Sequence, residues 1–193
     1  MKKIFIVGSV ASGKTTLAKN LSQKWNIPWY ELDQVVHNRQ ATVQTKRTDE
    51  EQRAIIEEIN AKHSMWIFEG TDRKSYQCLY EMADTILFLD PPLWIRKKRI
   101  VTRFLKQLLK LEKSHYKPDI QMLKLMFIWT KDFEKNRNES EKKLDAYKTK
   151  LIRIRNQKSL QHVLNLSHYS RSKAIQNNFI MDQSELNRGK ESV

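Results

Sequence analysis

Five short apolar runs recur along the chain, and the stretches between them carry apolar residues three and four positions apart. Lys3 to Val7 sets Ile, Phe and Val side by side, the pattern of a strand buried on both faces. Lys14 to Trp25 follows with Leu17, Leu21 and Trp25 four apart, one face of a helix, and Asn26-Ile27-Pro28 stops it. Pro28 to Leu32 reads as a second strand ending at Asp33. Thr48 to His63 predicts a helix that opens on a capping box, Thr48 with Glu51, and buries Ile55, Ile56 and Ile59. Met65 to Phe68 and Thr85 to Leu89 are the third and fourth strands, closed by Glu69-Gly70 and Asp90-Pro91-Pro92. A helix from about Leu93 turns Ile100, Phe104, Leu108 and Leu111 inward, and Pro118 opens another with Ile120, Leu123 and Phe127 inward. Leu151 to Ile154 is a fifth strand, with a short helix near Ser159 to Leu166 after it.

Strands separated by helices mean right-handed βαβ units. The expected fold class is α/β: a three-layer fold with a five-stranded, mainly parallel sheet, helices on both faces and a helical lid insertion. One domain is expected over 1–166, with acceptor-binding helices in 34–63 and a lid-containing helical segment in 93–148. Residues 167–193 read as a polar, mobile tail.

The turn after the first strand carries the chemistry. Gly8-Ser9-Val10-Ala11-Ser12-Gly13-Lys14-Thr15 matches GxxxxGK[ST] in full, between a predicted strand and a predicted helix, which is the context that makes the pattern specific. In such a loop successive backbone N–H groups converge on phosphate oxygens, and the positive end of the helix adds to them. Lys14 is then expected on the β- and γ-phosphates of ATP, the Thr15 hydroxyl on Mg²⁺, and Thr16 beside them. Three strand ends carry an acid: Asp33, Glu69 and Asp90. Ligands collect at such ends in open α/β sheets. Glu69 or Asp90 could hold the metal, and Asp33 could bind or deprotonate an acceptor hydroxyl. Helix capping or plain solvation is the alternative for each. Arg73 follows the third strand, and Arg96, Arg99 and Arg103 share one helix face after the fourth. Guanidinium groups there suit a lid that neutralises a transferring phosphoryl group, although a solvated basic face has the same pattern.

Composition adds one constraint. The 193 residues are 39% hydrophobic and 30% charged, with a net charge of +14. The surplus concentrates between Trp94 and Lys117, which hold nine Lys or Arg against the single acid Glu112. It points to an anionic partner without naming one. No apolar run reaches the ~18 residues of a membrane span, so a cytoplasmic protein with no membrane partner is expected. The lone Cys78 fits a reducing compartment and reads as inert. His37, His63, His115, His162 and His168 lack metal-ligand spacing and read as surface or capping residues. Trp94, Tyr116, Phe127 and Trp129 read as core packing of the helical insert, with base stacking as the alternative.

The order of P-loop, acid-ended second strand, Phe68-Glu69-Gly70-Thr71-Asp72-Arg73 and an arginine-rich segment resembles the adenylate-kinase-like small-molecule kinases. In that family the arginine after the third strand grips the acceptor and lid arginines grip ATP. The resemblance gives those roles to Arg73 and to Arg99 and Arg103. Glu69 stands where that family has aspartate, and Ala11 where glycine is usual. A closer resemblance covers 1–166. Ile27-Pro28-Trp29-Tyr30-Glu31-Leu32-Asp33, Trp66-Ile67-Phe68-Glu69-Gly70, Phe88-Leu89-Asp90 and Trp129-Thr130-Lys131-Asp132-Phe133 look like the bacterial FlaR-type proteins, which are catalogued as "DNA topology modulation" proteins. By that pattern Arg155, with Asn156, falls where the adenine base is clasped. The favoured expectation is an ATP-dependent kinase acting on a small-molecule acceptor. The second reading is an ATP-binding, DNA-associated regulator. No Asn-Lys-x-Asp element is present to read guanine, which argues against a GTPase. The sequence leaves the acceptor and the oligomeric state open.

Overall fold

The computed structural model describes residues 2–38, 45–109 and 119–165. Residues up to Arg155 form one compact unit, and the segment from Asn156 forms a second.

In the first unit the elements run β1 (Lys3–Gly8), α1 (Lys14–Trp25), β2 (Trp29–Glu31), α2 (Leu32–Val36), β3 (His37–Asn38), β4 (Thr45–Lys46), α3 (Asp49–Lys62) and β5 (Trp66–Gly70). A 3-10 turn (Lys74–Tyr76), α4 (Gln77–Met82), β6 (Thr85–Leu89), α5 (Leu93–Leu108), α6 (Ile120–Lys135), α7 (Arg137–Asp145), a second 3-10 turn (Lys148–Lys150) and β7 (Leu151–Ile154) follow. The main sheet has the order β2-β5-β1-β6-β7, and all four pairings are parallel. The expected α/β fold with a five-stranded parallel sheet is therefore the fold observed. From β1 the chain crosses first to one side, where β2 takes the edge and β5 enters between it and β1, and then to the other, through β6 and β7. The crevice at the carboxyl end of β1 is thus the topological switch point, where such sheets bind ligands.

The strands are central because they are apolar on both faces. Ile4, Phe5, Ile6, Ile67, Phe68, Ile86 and Leu87 have no exposed surface. Aromatic pairs close the interior: Phe5 meets Tyr80, and Trp66 meets Phe68, each edge-on at 5.0 Å. Helix ends follow local chemistry. Asn26 ends α1 in the left-handed region at φ 55°. Thr48 and Glu51 form the expected capping box on α3. Asp119 caps α6 by accepting from the Met122 N–H at 2.6 Å.

Several local expectations are corrected. The second strand is three residues long, because Leu32 already begins α2, so Asp33 sits in a helical first turn rather than at a strand end. The third strand starts at Trp66 and takes in Glu69 and Gly70, leaving Met65 outside. The short β3–β4 pair was not foreseen. On α5, Leu108 is half exposed, and on α6, Ile120 is mostly exposed; the inward positions are Arg96, Ile100 and Gln107, and Met126 and Thr130. Trp94 and Trp129 are also exposed, so neither is core packing. Apolar residues lie on more than one face of α6, and the periodicity of α5 does not say which part of its stripe a neighbour covers. Leu111, Tyr116, Pro118 and the tail 167–193 lie outside the described residues.

The second unit begins with a helical segment over 157–165. Asn156 caps it: its Oδ1 accepts from the Ser159 N–H at 2.9 Å, and its own N–H donates to Ser159 Oγ at 3.2 Å.

Candidate functional site

The loop from Gly8 to Thr15 joins the end of β1 to α1 at the switch point. Its glycines are sterically required. A Cβ at Gly8 would lie 2.6 Å from the Leu89 carbonyl oxygen, and Gly13 holds φ at 104°. Ala11 also sits at positive φ, 57°, a conformation that costs an L-residue roughly 1 kcal/mol. Unlike α3 and α6, α1 has no side chain capping its N-terminus. The first-turn N–H groups of a 12-residue helix therefore face the loop's concavity, an arrangement that favours an anion.

Lys14 bends back and donates from Nζ to the Ser9 carbonyl at 3.0 Å. Burial pushes its ammonium below the ordinary lysine value, with Arg103 in the same direction, while Glu69 and Asp33 hold it up. Thr15 donates from Oγ1 to Glu69 Oε1 at 2.6 Å. Glu69 is 5% exposed. Burial raises its carboxyl above the usual range, Lys14 and the Thr15 hydroxyl oppose the rise, and Glu31 and Asp33 add to it. The oxygen-only pair of Thr15 and Glu69 is chemically suited to Mg²⁺, which takes one or two protein oxygens and completes its shell with phosphates and water. Among the described residues no group of three or more His, Cys, Asp or Glu is placed to hold a metal ion.

Helix α5 lies against the loop. Arg99 donates from Nη1 to the Ser12 carbonyl at 2.7 Å and to the Ala11 carbonyl at 3.3 Å. Arg103 is close enough to Lys14 to perturb it. Arg96 is enclosed, and its Nη1 donates to Ser9 Oγ at 2.8 Å. The three arginines thus share the loop-facing side of α5, but only Arg99 and Arg103 retain exposure. Across the crevice, Arg73 Nη2 lies 4.0 Å from Asp33 Oδ1, both side chains open to solvent. The structure gathers Gly8, Ser9, Val10, Ala11, Ser12, Gly13, Lys14, Thr15, Glu69, Arg99 and Arg103 around one loop. Thr16 is exposed on α1.

Asp90 and Arg155 form part of a separate charged cluster. The buried Asp90 Oδ2 accepts from Arg137 at 2.5 Å, Arg153 at 3.3 Å and Arg155 at 3.3 Å. Glu141 pairs with Arg153, whose hydrogen bond holds its carboxyl below the ordinary glutamate value. With Oδ2 accepting from three guanidinium groups, Asp90 joins α7 and β7. Arg137, Arg153 and Glu134 escaped the sequence reading; the only hint was the i, i+4 spacing of Arg137 and Glu141. A cleft of about 400 Å³, lined by Trp29, Tyr30, Glu31, Gln34, Arg47 and Ile55 among others, opens beside the edge strand β2 and includes none of the loop residues.

Comparison with known proteins agrees with this fold. Among solved structures, shikimate kinase from Bacteroides thetaiotaomicron matches with a TM-score of 0.50 at 17% identity, over 86% of this chain and 97% of that one. Shikimate kinase from Acinetobacter baumannii, in complex with shikimate, matches with a TM-score of 0.51 at 14% identity, over 88% and 94%. A protein from Eubacterium ventriosum ATCC 27560, titled uncharacterized, matches with a TM-score of 0.50 at 16% identity, over 84% and 96%. At such identities the likeness is one of fold. A family model described as "PduV-EutP: Ethanolamine utilisation - propanediol utilisation" matches residues 1–62, less than half of the chain. No curated protein matches the chain. Fold and loop together define a P-loop protein of the α/β class.

Proposed function

We propose that the protein is an ATP-dependent kinase of a small-molecule acceptor. One observation carries the reading: an uncapped helix N-terminus at the switch point has Lys14, Thr15 and Glu69 converging beside it, with Arg99 and Arg103 on the far side. ATP would place its phosphates along Gly8 to Thr16, with Lys14 on the terminal groups. Thr15 and Glu69 would hold Mg²⁺, which would supply neutralisation of the charge on the transferring phosphate. Lys14 leaves the Ser9 carbonyl for phosphate, and Arg99 leaves the Ser12 carbonyl when α5 moves over the nucleotide as part of a lid. The acceptor would lie between Asp33, Glu69 and Arg73, with Asp33 taking the hydroxyl proton and Arg73 gripping an anionic group. Arg155, at the end of β7, is the residue for the base. The fold shared with two shikimate kinases supports a small metabolite as acceptor, and the adenylate-kinase-like and FlaR-type resemblances support the same chemistry. The DNA-associated reading rests on the net charge, on the basic run from Arg96 to Lys117 and on the catalogued name of the FlaR-type proteins, and arginines turned to a phosphate loop account for part of that charge.

The deciding assay offers Mg-ATP with a panel of nucleotides, nucleosides, sugars and hydroxy acids, with Lys14→Ala as control. Transfer to at least one acceptor by the wild type, reduced by two orders of magnitude or about that in the control, is expected. No transfer to any acceptor would remove the kinase reading.

A further inference from the structure

Arg96 lies deep in the unit, 1% exposed, with every nitrogen of its guanidinium engaged. Nε donates to the Pro91 carbonyl at 3.1 Å, Nη1 to Ser9 Oγ at 2.8 Å, and Nη2 to the Glu134 carboxylate. The guanidinium also lies 5.4 Å from the centre of the Phe133 ring. A buried charge is costly even when paired, and an apolar side chain of similar volume fills such a space at less cost. Filling space therefore does not explain an arginine here; its contacts do. Two are geometric constraints, Pro91 and Glu134. The third is a residue of the phosphate loop.

Ser9 links that arginine to the chemistry. Its hydroxyl accepts from Arg96, while its carbonyl accepts from Lys14 Nζ at 3.0 Å. Glu134 on α6, Arg96 on α5, Ser9 and Lys14 thus form one unbroken chain of polar contacts. Arg99, one turn further along α5, is exposed and rests on main-chain carbonyls that a nucleotide could replace. Arg96 is enclosed and has no such freedom.

We propose that Arg96 and Glu134 are positioning residues for the phosphate loop: Arg96 clamps Ser9, and Glu134 holds Arg96 in the orientation that makes the clamp. The inference rests on the nucleotide-binding reading above and extends it to two residues that touch no ligand. The clamp fixes the loop before nucleotide arrives, so the ordering of the loop is not charged against binding. It also ties the loop to α6, so the helical segment bears on nucleotide affinity through a hydrogen bond rather than by contact with the ligand.

The test is equilibrium Mg-ATP binding by calorimetry for the wild type, Ser9→Ala, Arg96→Lys, Glu134→Gln and the double variants, with thermal unfolding recorded for each. Each single variant is expected to weaken binding on the order of tenfold, the scale of one charge-assisted hydrogen bond. Ser9→Ala combined with Arg96→Lys should bind no more weakly than Arg96→Lys alone, because both act through the same bond. A role in packing alone would lower the unfolding midpoint and leave the affinity of the folded protein unchanged. Wild-type affinity in folded Arg96→Lys, or losses that multiply in the double variant, would overturn the inference. If Arg96→Lys does not fold, the Ser9→Ala and Glu134→Gln pair decides by the same criterion. A wild type that binds no Mg-ATP would overturn the nucleotide reading together with the inference, an outcome distinct from a wild type that binds tightly and variants that match it.

Discussion

Glu69 is a carboxylate held out of water next to a lysine and a threonine, and its position ties stability to function. Burial lifts its carboxyl above the ordinary 4.5. Below that value folded and unfolded chains both carry the proton, and the contribution to stability is fully present. As pH rises through the folded value, the unfolded chain has already released its proton, and stability is lost. Glu69→Gln removes the charge and keeps an oxygen for the Thr15 hydroxyl. In urea unfolding the variant should be more stable than the wild type at pH 7, with the difference closing near pH 4. The same substitution should abolish the Mg²⁺ dependence of ATP binding. A variant less stable at pH 7 would show that Lys14 and Thr15 outweigh burial. That Glu69 belongs to the site could be read from its place after an apolar run. That it bonds Thr15, 54 positions earlier, could not, because only the parallel pairing of β1 with β5 brings them together.

At the scale of elements, α7 and β7 are fastened by one carboxylate. Asp90 receives Arg137 from α7 and Arg153 from β7 on a single buried oxygen. Asp90→Asn should destabilise the protein by about 2 kcal/mol, the scale of a hydrogen bond to a charged group, since it removes the buried acceptor that Arg137 and Arg153 share while Glu141 remains a partner of both. Mg-ATP affinity of the folded variant should stay within about threefold of the wild type, a change of under 1 kcal/mol. Denaturant unfolding and a binding isotherm check the two parts, and a large loss of affinity without loss of stability would return Asp90 to the metal site. The elements themselves were largely legible. The ends of α1, β6 and β7 follow from proline, asparagine and apolar runs that act locally. The limits of β2 were not, because Leu32 suits a strand as well as the first turn of α2, and packing decided between them. The buried faces of α5 and α6 were not, because a periodic pattern does not say which stripe a neighbour will cover.

Over the whole molecule, the net charge of +14 is partly a property of the site. Helix α5 carries Arg96, Lys97, Lys98, Arg99, Arg103 and Lys106 without an acid, and its arginines turn toward the phosphate loop. The alternation of strand and helix, which depends only on sequence-local pattern, was enough to fix the parallel sheet and the place of the loop at its switch point. What lay beyond the sequence was the long-range pairing of charges, since no local signal joins Arg96 to Ser9 or Asp90 to Arg153. Equilibrium binding of ATP with and without Mg²⁺, by the wild type and by Lys14→Ala, tests the central claim most directly. Binding that is strengthened by Mg²⁺ and falls by at least about a hundredfold in a folded Lys14→Ala variant is the result expected. Equal affinity in the two proteins, or none in either, would contradict it.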